Sequence, residues 1–314
     1  MKYLEFINQK IKEIVSKPDN LVLFGQNISA GSCLGGLTRG LKLKNNELVI
    51  NSTNAENSLC GFGFGLMING ISSIFFVKQL DFLILGLDHL VNTYNIIRNS
   101  QQKNDSSFTI MPIVSDNGYE GPQASFNNLS DMCSMARIPG FSITTKWEIE
   151  KILETQLVST GFRIITVSQR LFKKELLSPE KVFFVNNENT LFQYSKGNDA
   201  TIVCFNFSFP QGYELFQELK KNNINSTIFN VTSSTPIDWQ KIIEDVLNTE
   251  TLIVLDDSKS VNLSCDSLLS DTRLTSIKNR IILKKPILND WLNPNQDLME
   301  IDIPNIIDQL KNLK

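Results

Sequence analysis

Histidine is almost missing from this chain. Among its 314 residues only His89 is a histidine. That excludes, within the chain, a Ser-His-Asp triad with a residue to spare, a two-histidine metal site and a zinc-protease motif. Any chemistry has to run on carboxylates, on a cofactor or on residues lent by a partner. Cysteines are few and unpaired in spacing: Cys33, Cys60, Cys133, Cys204 and Cys265 make an odd total. A disulfide framework or thiolate zinc site is therefore not expected, and buried free thiols are. Positive charge is not in excess, with 30 basic against 33 acidic residues and a formal net charge of −3. Nucleic acid is thereby excluded as a partner. Long apolar runs are lacking too. The stretches 59–68 and 71–77 fall well short of the ~20 residues a membrane-spanning helix requires. The amphipathic start, with Glu5 and Glu13 in it, does not read as a signal or transit peptide. The expectation is a cytoplasmic chain with no membrane partner.

What is present is ordinary folded-protein material, 41% apolar and 20% charged, enough for about two domains at roughly 150 residues each. Apolar residues at helical spacing predict an amphipathic helix over 3–16. Strands are then expected at 21–24, 48–51, 73–77, 108–114, 141–144 and 163–167. Between them the pattern predicts helices at 34–41, 57–69, 81–100, 128–137 and 147–157. Strands apolar on both faces and separated by helices signal a parallel sheet covered on both sides. Pro179, Asn186, Asn187 and Gly197 punctuate the next stretch, and the domain junction is placed there. The alternation then restarts with strands at 201–205, 226–230 and 251–255, helices at 211–221 and 236–247, and a tail helix from Pro304, a residue favoured at the first helical position.

One stretch, 51–70, stands apart. A lone acid, Glu56, lies between a strand and a segment spaced by Gly61, Gly63 and Gly65. A carboxylate in such surroundings must be paired, protonated or hydrogen-bonded, and a cofactor is the expected partner. The alternative is a carboxylate that only caps the helix start. The turn-rich segment 115–125 follows a strand, so it is expected at the carboxyl edge of the sheet, where open α/β sheets bind ligands.

Taken in order, these pieces resemble a known family. They are Asn51 to Glu56, the three glycines, Asn69 to Ile71, Asp81 and Phe82, 87–92, Gly121 to Ser125, Ile138 to Gly140, 198–203, 235–238 and 251–257. Their order is similar to that of the beta subunit of thiamine-diphosphate-dependent 2-oxo-acid dehydrogenases and of the carboxyl-terminal half of transketolases, over nearly the whole chain. The resemblance implies an α/β fold of two doubly wound domains: a pyrimidine-binding domain at 1–178, a linker at 179–198 and a transketolase-type C-terminal domain at 199–314. It implies thiamine diphosphate as cofactor. Glu56 would hydrogen-bond the aminopyrimidine and favour the tautomer that deprotonates the thiazolium ring, and Phe82 would stack on the pyrimidine. Read alone, without the resemblance, Phe82 is a core aromatic at a strand-to-helix junction.

Gln123, Ala124 and Ser125 are the substrate-loop candidates, with Ala124 standing where the family has a histidine. No Gly-Asp-Gly followed by Asn occurs. Mg2+ and the diphosphate are therefore expected on an alpha-type partner subunit, in an α2β2-like assembly, with no metal ligand in this chain. Three readings follow: cofactor activation for decarboxylation or C–C bond chemistry on a 2-oxo acid, a split transketolase moving a two-carbon ketol unit of a ketose, and a non-catalytic scaffold subunit.

Overall fold

The computed structural model describes residues 1–44, 48–100, 105–117, 127–285 and 299–312. Six strands form the first sheet: β1 (Leu21–Gly25), β2 (Val49–Asn51), β3 (Ser72–Val77), β4 (Ser107–Val114), β5 (Gly140–Ser142) and β6 (Gly161–Ser168). Their order across the sheet is β2-β1-β3-β4-β6-β5, and every adjacent pair is parallel. The cause is visible in the sequence: all eight residues of β4 are buried, as expected of a strand covered on both faces.

Helices α1 (Tyr3–Val15), α2 (Glu56–Ile68), α3 (Tyr94–Asn99), α4 (Leu129–Ala136) and α5 (Lys146–Gln156) accompany this sheet. In α1 the residues Tyr3, Ile7, Ile11, Ile14 and Val15 form its buried stripe. The first turn of α5 is closed by a capping box, with Thr145 Oγ1 accepting from Glu148 N.

The second sheet contains β7 (Phe184–Val185), β8 (Leu191–Ser195), β9 (Ala200–Phe205), β10 (Ser226–Val231), β11 (Thr251–Asp256) and β12 (Asn279–Lys284), in the order β12-β11-β9-β10-β8-β7. Four strands run parallel, while β8 is antiparallel to β10 and to β7. Helices α6 (Phe209–Lys221), α7 (Gln240–Thr249), α8 (Asp266–Leu269) and α9 (Ile303–Lys311) complete it. The fold is α/β, as the alternation of strand and helix signals implies.

Three local expectations change. The stretch read as a linker carries β7 and β8. A turn joins them, its backbone held by the Asn186 side chain, whose Oδ1 accepts from Thr190 N at 2.8 Å and Leu191 N at 3.0 Å. Asn-rich turn chemistry looked like linker composition. The helix expected over 34–41 is one short 3-10 turn at Leu34–Gly36, because Cys33, Leu34, Gly35 and Gly36 all have positive φ. The long helix expected over 81–100 is three pieces: a 3-10 segment at Leu80–Gly86, a π turn at His89–Thr93, and α3.

The two sheets are bonded directly. Ser142 N, on the edge strand β5, donates to Thr232 O at 2.7 Å. Glu148 is wholly buried and accepts from both halves. Its Oε2 takes Thr144 N, Thr144 Oγ1 and Thr145 N at 2.8, 2.7 and 3.0 Å. Its Oε1 takes Tyr194 OH from β8 at 2.6 Å and Asn230 Nδ2 from β10 at 2.8 Å. One apolar core runs from α1 through the first sheet and onto one face of the second.

Candidate active site

In the first sheet the chain goes from β1 to β2 on one side, then crosses back to β3 on the other. The carboxyl ends of β1 and β3 therefore flank a topological switch point, the usual ligand crevice of an open α/β sheet. Gly25 ends β1 with φ of 149°, and a Cβ there would lie 2.2 Å from Phe76 O. Only glycine fits so close an approach. Across the edge, Asn51 Oδ1 accepts from Ser29 N at 3.0 Å and its Nδ2 donates to Ser29 Oγ at 2.6 Å. Ser52 N donates to Gly25 O at 3.0 Å. The ends of β1 and β2 are thus laced together just before Glu56.

Glu56 opens α2, immediately beyond this lacing, with 7% of its surface exposed. The helix start favours its negative charge. No described residue hydrogen-bonds its carboxylate. Its field reaches Cys60, one turn along: burial first, and the Glu56 charge second, push that thiol up to about 12. Cys60 is consequently an inert packing residue. The free cysteines Cys60, Cys133, Cys204 and Cys265 are buried, and Cys33 is half-buried.

Phe82 sits on the 3-10 segment after β3, half-buried against the core, its N–H donating to Gln79 O at 3.2 Å. Gly86 explains why this segment is tightly wound. A Cβ there would fall 2.4 Å from Cys60 Sγ and 3.5 Å from Glu56 O, so the turn lies directly on the first turns of α2. Glu56 and Phe82 therefore follow the two strands that flank β1, at the same edge of the sheet, on segments packed against each other.

Gln123, Ala124 and Ser125 lie outside the described residues. His89 is half-buried, its Nδ1 paired with Thr93 Oγ1 at 2.9 Å and its ring 3.2 Å from where a Gly61 Cβ would be. It packs against α2 rather than facing the edge loops. Among the described residues no three His, Cys, Asp or Glu side chains gather as a metal site, and no helix is long and apolar enough to cross a membrane.

One group at the carboxyl edges was not read from the sequence. Arg170, just past β6, bonds Asp257 Oδ2 through Nη2 at 2.7 Å and lies 3.7 Å from Asp116 Oδ2. Both aspartates are fully buried. Burial pushes the Asp116 carboxyl up, against the opposing pull of Arg170 and of Ser168. The doublet Asp256-Asp257 closing the apolar run of β11 was the available signal.

No family model matches the chain. Its sequence is 18% identical over 324 residues to the pyruvate dehydrogenase E1 component subunit beta of Staphylococcus epidermidis, covering 99% of this chain and 98% of that protein. It is 21% identical over 267 residues to the 2-oxoisovalerate dehydrogenase subunit beta of Bacillus subtilis, covering 82% and 80%. Among solved structures, a split-gene transketolase described as an inactive beta4 tetramer superposes with a TM-score of 0.65 at 16% identity, over 99% of this chain and 98% of that one. Nearly end to end, this chain is a homologue of the beta subunits of 2-oxo-acid dehydrogenases, built on the fold of a split-transketolase beta chain.

Proposed function

We propose that this chain is the beta-type half of a thiamine-diphosphate-dependent enzyme acting on a 2-oxo acid in the cytoplasm, and that Glu56 is its catalytic residue. The observation carrying this reading is the Glu56 carboxylate: buried, without a hydrogen-bond partner among the described residues, and beside the switch-point crevice. A buried carboxylate must be neutralised or hydrogen-bonded, and a pyrimidine ring nitrogen is a group of the right chemistry to do so. Thiamine diphosphate supplies, when bound, the electron sink for breaking the bond beside a 2-oxo group. Glu56 would hold or share the proton at the pyrimidine nitrogen, and the half-buried Phe82 ring would offer that ring a flat apolar surface.

The diphosphate and Mg2+ belong to an alpha-type partner in a 2:2 assembly, since no Gly-Asp-Gly followed by Asn occurs in this sequence. Support comes from α2, which is apolar on every side. Phe62 and Ile68 are 42% and 49% exposed, and Ile84 and Leu85 on the adjoining turn are 43% and 65% exposed. A helix apolar all round is normally covered. The full-length likeness to a split transketolase favours a second reading, two-carbon ketol transfer with the same Glu56 role.

The test is hydrogen–deuterium exchange at the thiazolium carbon of thiamine diphosphate in the assembled protein. Glu56→Gln should slow it by roughly 10²–10⁴-fold while sedimentation shows the assembly intact. Unchanged exchange would exclude the assignment and leave the scaffold reading. Turnover of pyruvate against a ketose phosphate then separates the two enzyme readings.

A further inference from the structure

In the second sheet the switch point lies between β9 and β11, because the chain goes from β9 to β10 on one side and returns to β11 on the other. Here an α/β domain ordinarily receives a ligand, commonly an anion at the start of the following helix. The chain fills this place itself. Asp257, directly after β11, accepts from Phe207 N at 3.1 Å through Oδ1, just ahead of α6. Its other oxygen is bonded to Arg170, whose Nη2 also donates to Phe207 O at 3.2 Å.

The opposite side of this group belongs to the first sheet. Asp116, two residues past β4, accepts Arg170 N at 2.9 Å and Ser168 Oγ at 2.6 Å. Asn127, two residues ahead of α4, is fully buried. Its Nδ2 donates to Asp257 O at 3.0 Å, and its own carbonyl accepts from Lys259 N at 3.2 Å. The chain leaves β4 at Asp116, which reaches the Asp257 side chain through Arg170, and enters α4 at Asn127, which bonds the Asp257 backbone carbonyl.

We infer that Arg170 is a positioning residue: by bridging Asp116 and Asp257 it fixes the carboxyl edge of β4 and the approach to α4 from the second sheet. The second domain thus uses its switch point to hold the first domain's edge rather than to bind a ligand. The functional weight of that edge rests on the reading proposed above; the contact itself does not. A long cationic side chain suits the place because one group serves a carboxylate and a carbonyl together and approaches a second carboxylate as well.

Amide hydrogen exchange on the full chain, with no cofactor added, tests this. Arg170→Met should speed exchange at 113–117 and 127–131 by roughly tenfold or more, with β1, β3 and α7 unchanged. Arg170→Lys, which keeps the charge and can reach Asp257, should bring those flanks back to within roughly threefold of the wild type. Equal protection in all three proteins would overturn the inference. So would a uniform loss across both sheets, which would make Arg170 a general stabilising contact. Because thiamine diphosphate is absent, the result is independent of the Glu56 experiment.

Discussion

Glu148 shows how much one buried side chain can bind together. Five donors, from β8, β10 and the loop ahead of α5, converge on its two oxygens, so Glu148→Ala leaves the Thr144 and Thr145 amides without an acceptor in a dry interior. A loss on the order of 3–5 kcal/mol is expected, read as a fall in the urea midpoint. Asp116 carries a different signature. Burial holds its carboxyl above the ordinary aspartate value of 3.8 in the folded chain. The folded state therefore binds that proton more tightly than the unfolded state does. The stability this group contributes is full below 3.8 and is lost as the pH climbs through the folded value. Asp116→Asn should flatten the fall of the urea midpoint as the pH rises above 3.8; a curve parallel to that of the wild type would contradict this. The burial of Glu56 at the start of α2 was legible in the sequence as a lone acid before a glycine-spaced apolar segment. Arg170, Asp116 and Asp257 were not. They are separated by 54 and 87 residues, and a pairing set by two sheet topologies leaves no mark in local periodicity.

At the scale of the element, α2 tests what its glycines are for. A Cβ at Gly63 would lie 2.2 Å from the Phe108 ring, whereas one at Gly65 would meet nothing within 4 Å. Gly63→Ala should therefore cost roughly 1–3 kcal/mol by overpacking. Gly65→Ala should stabilise the isolated chain by up to about 1 kcal/mol through helix propensity, and should weaken binding of a partner seated on that face. Thermal melts of the chain alone, beside titrations with the partner, give both numbers. Strands were the most legible elements, since β1, β3, β4, β9 and β11 are uninterrupted buried runs. The segment after β3 was misread for a physical reason. Its apolar spacing fits a helix, but Gly86 is pressed onto Cys60, and that contact rewards tighter winding, a tertiary influence no local pattern contains.

For the whole molecule, the exposed apolar side chains of α2 and its neighbouring turn make assembly the central expectation. Sedimentation of the purified chain should show self-association, and addition of an alpha-type partner should convert it to a 2:2 complex. A monomer indifferent to any partner would leave the Glu56 site only half built. The amino-terminal helix imposes a separate condition, on the time axis. Tyr3 OH donates to Ile143 O at 2.7 Å and accepts from Ser168 N at 3.4 Å, across sequence separations of 140 and 165 residues. At ribosomal speeds of about 5–20 residues per second, α1 is made roughly 10–30 s before its seat exists. Through that interval its apolar stripe has no native surface to cover it, so α1 docks only after β6, made long after it, has emerged.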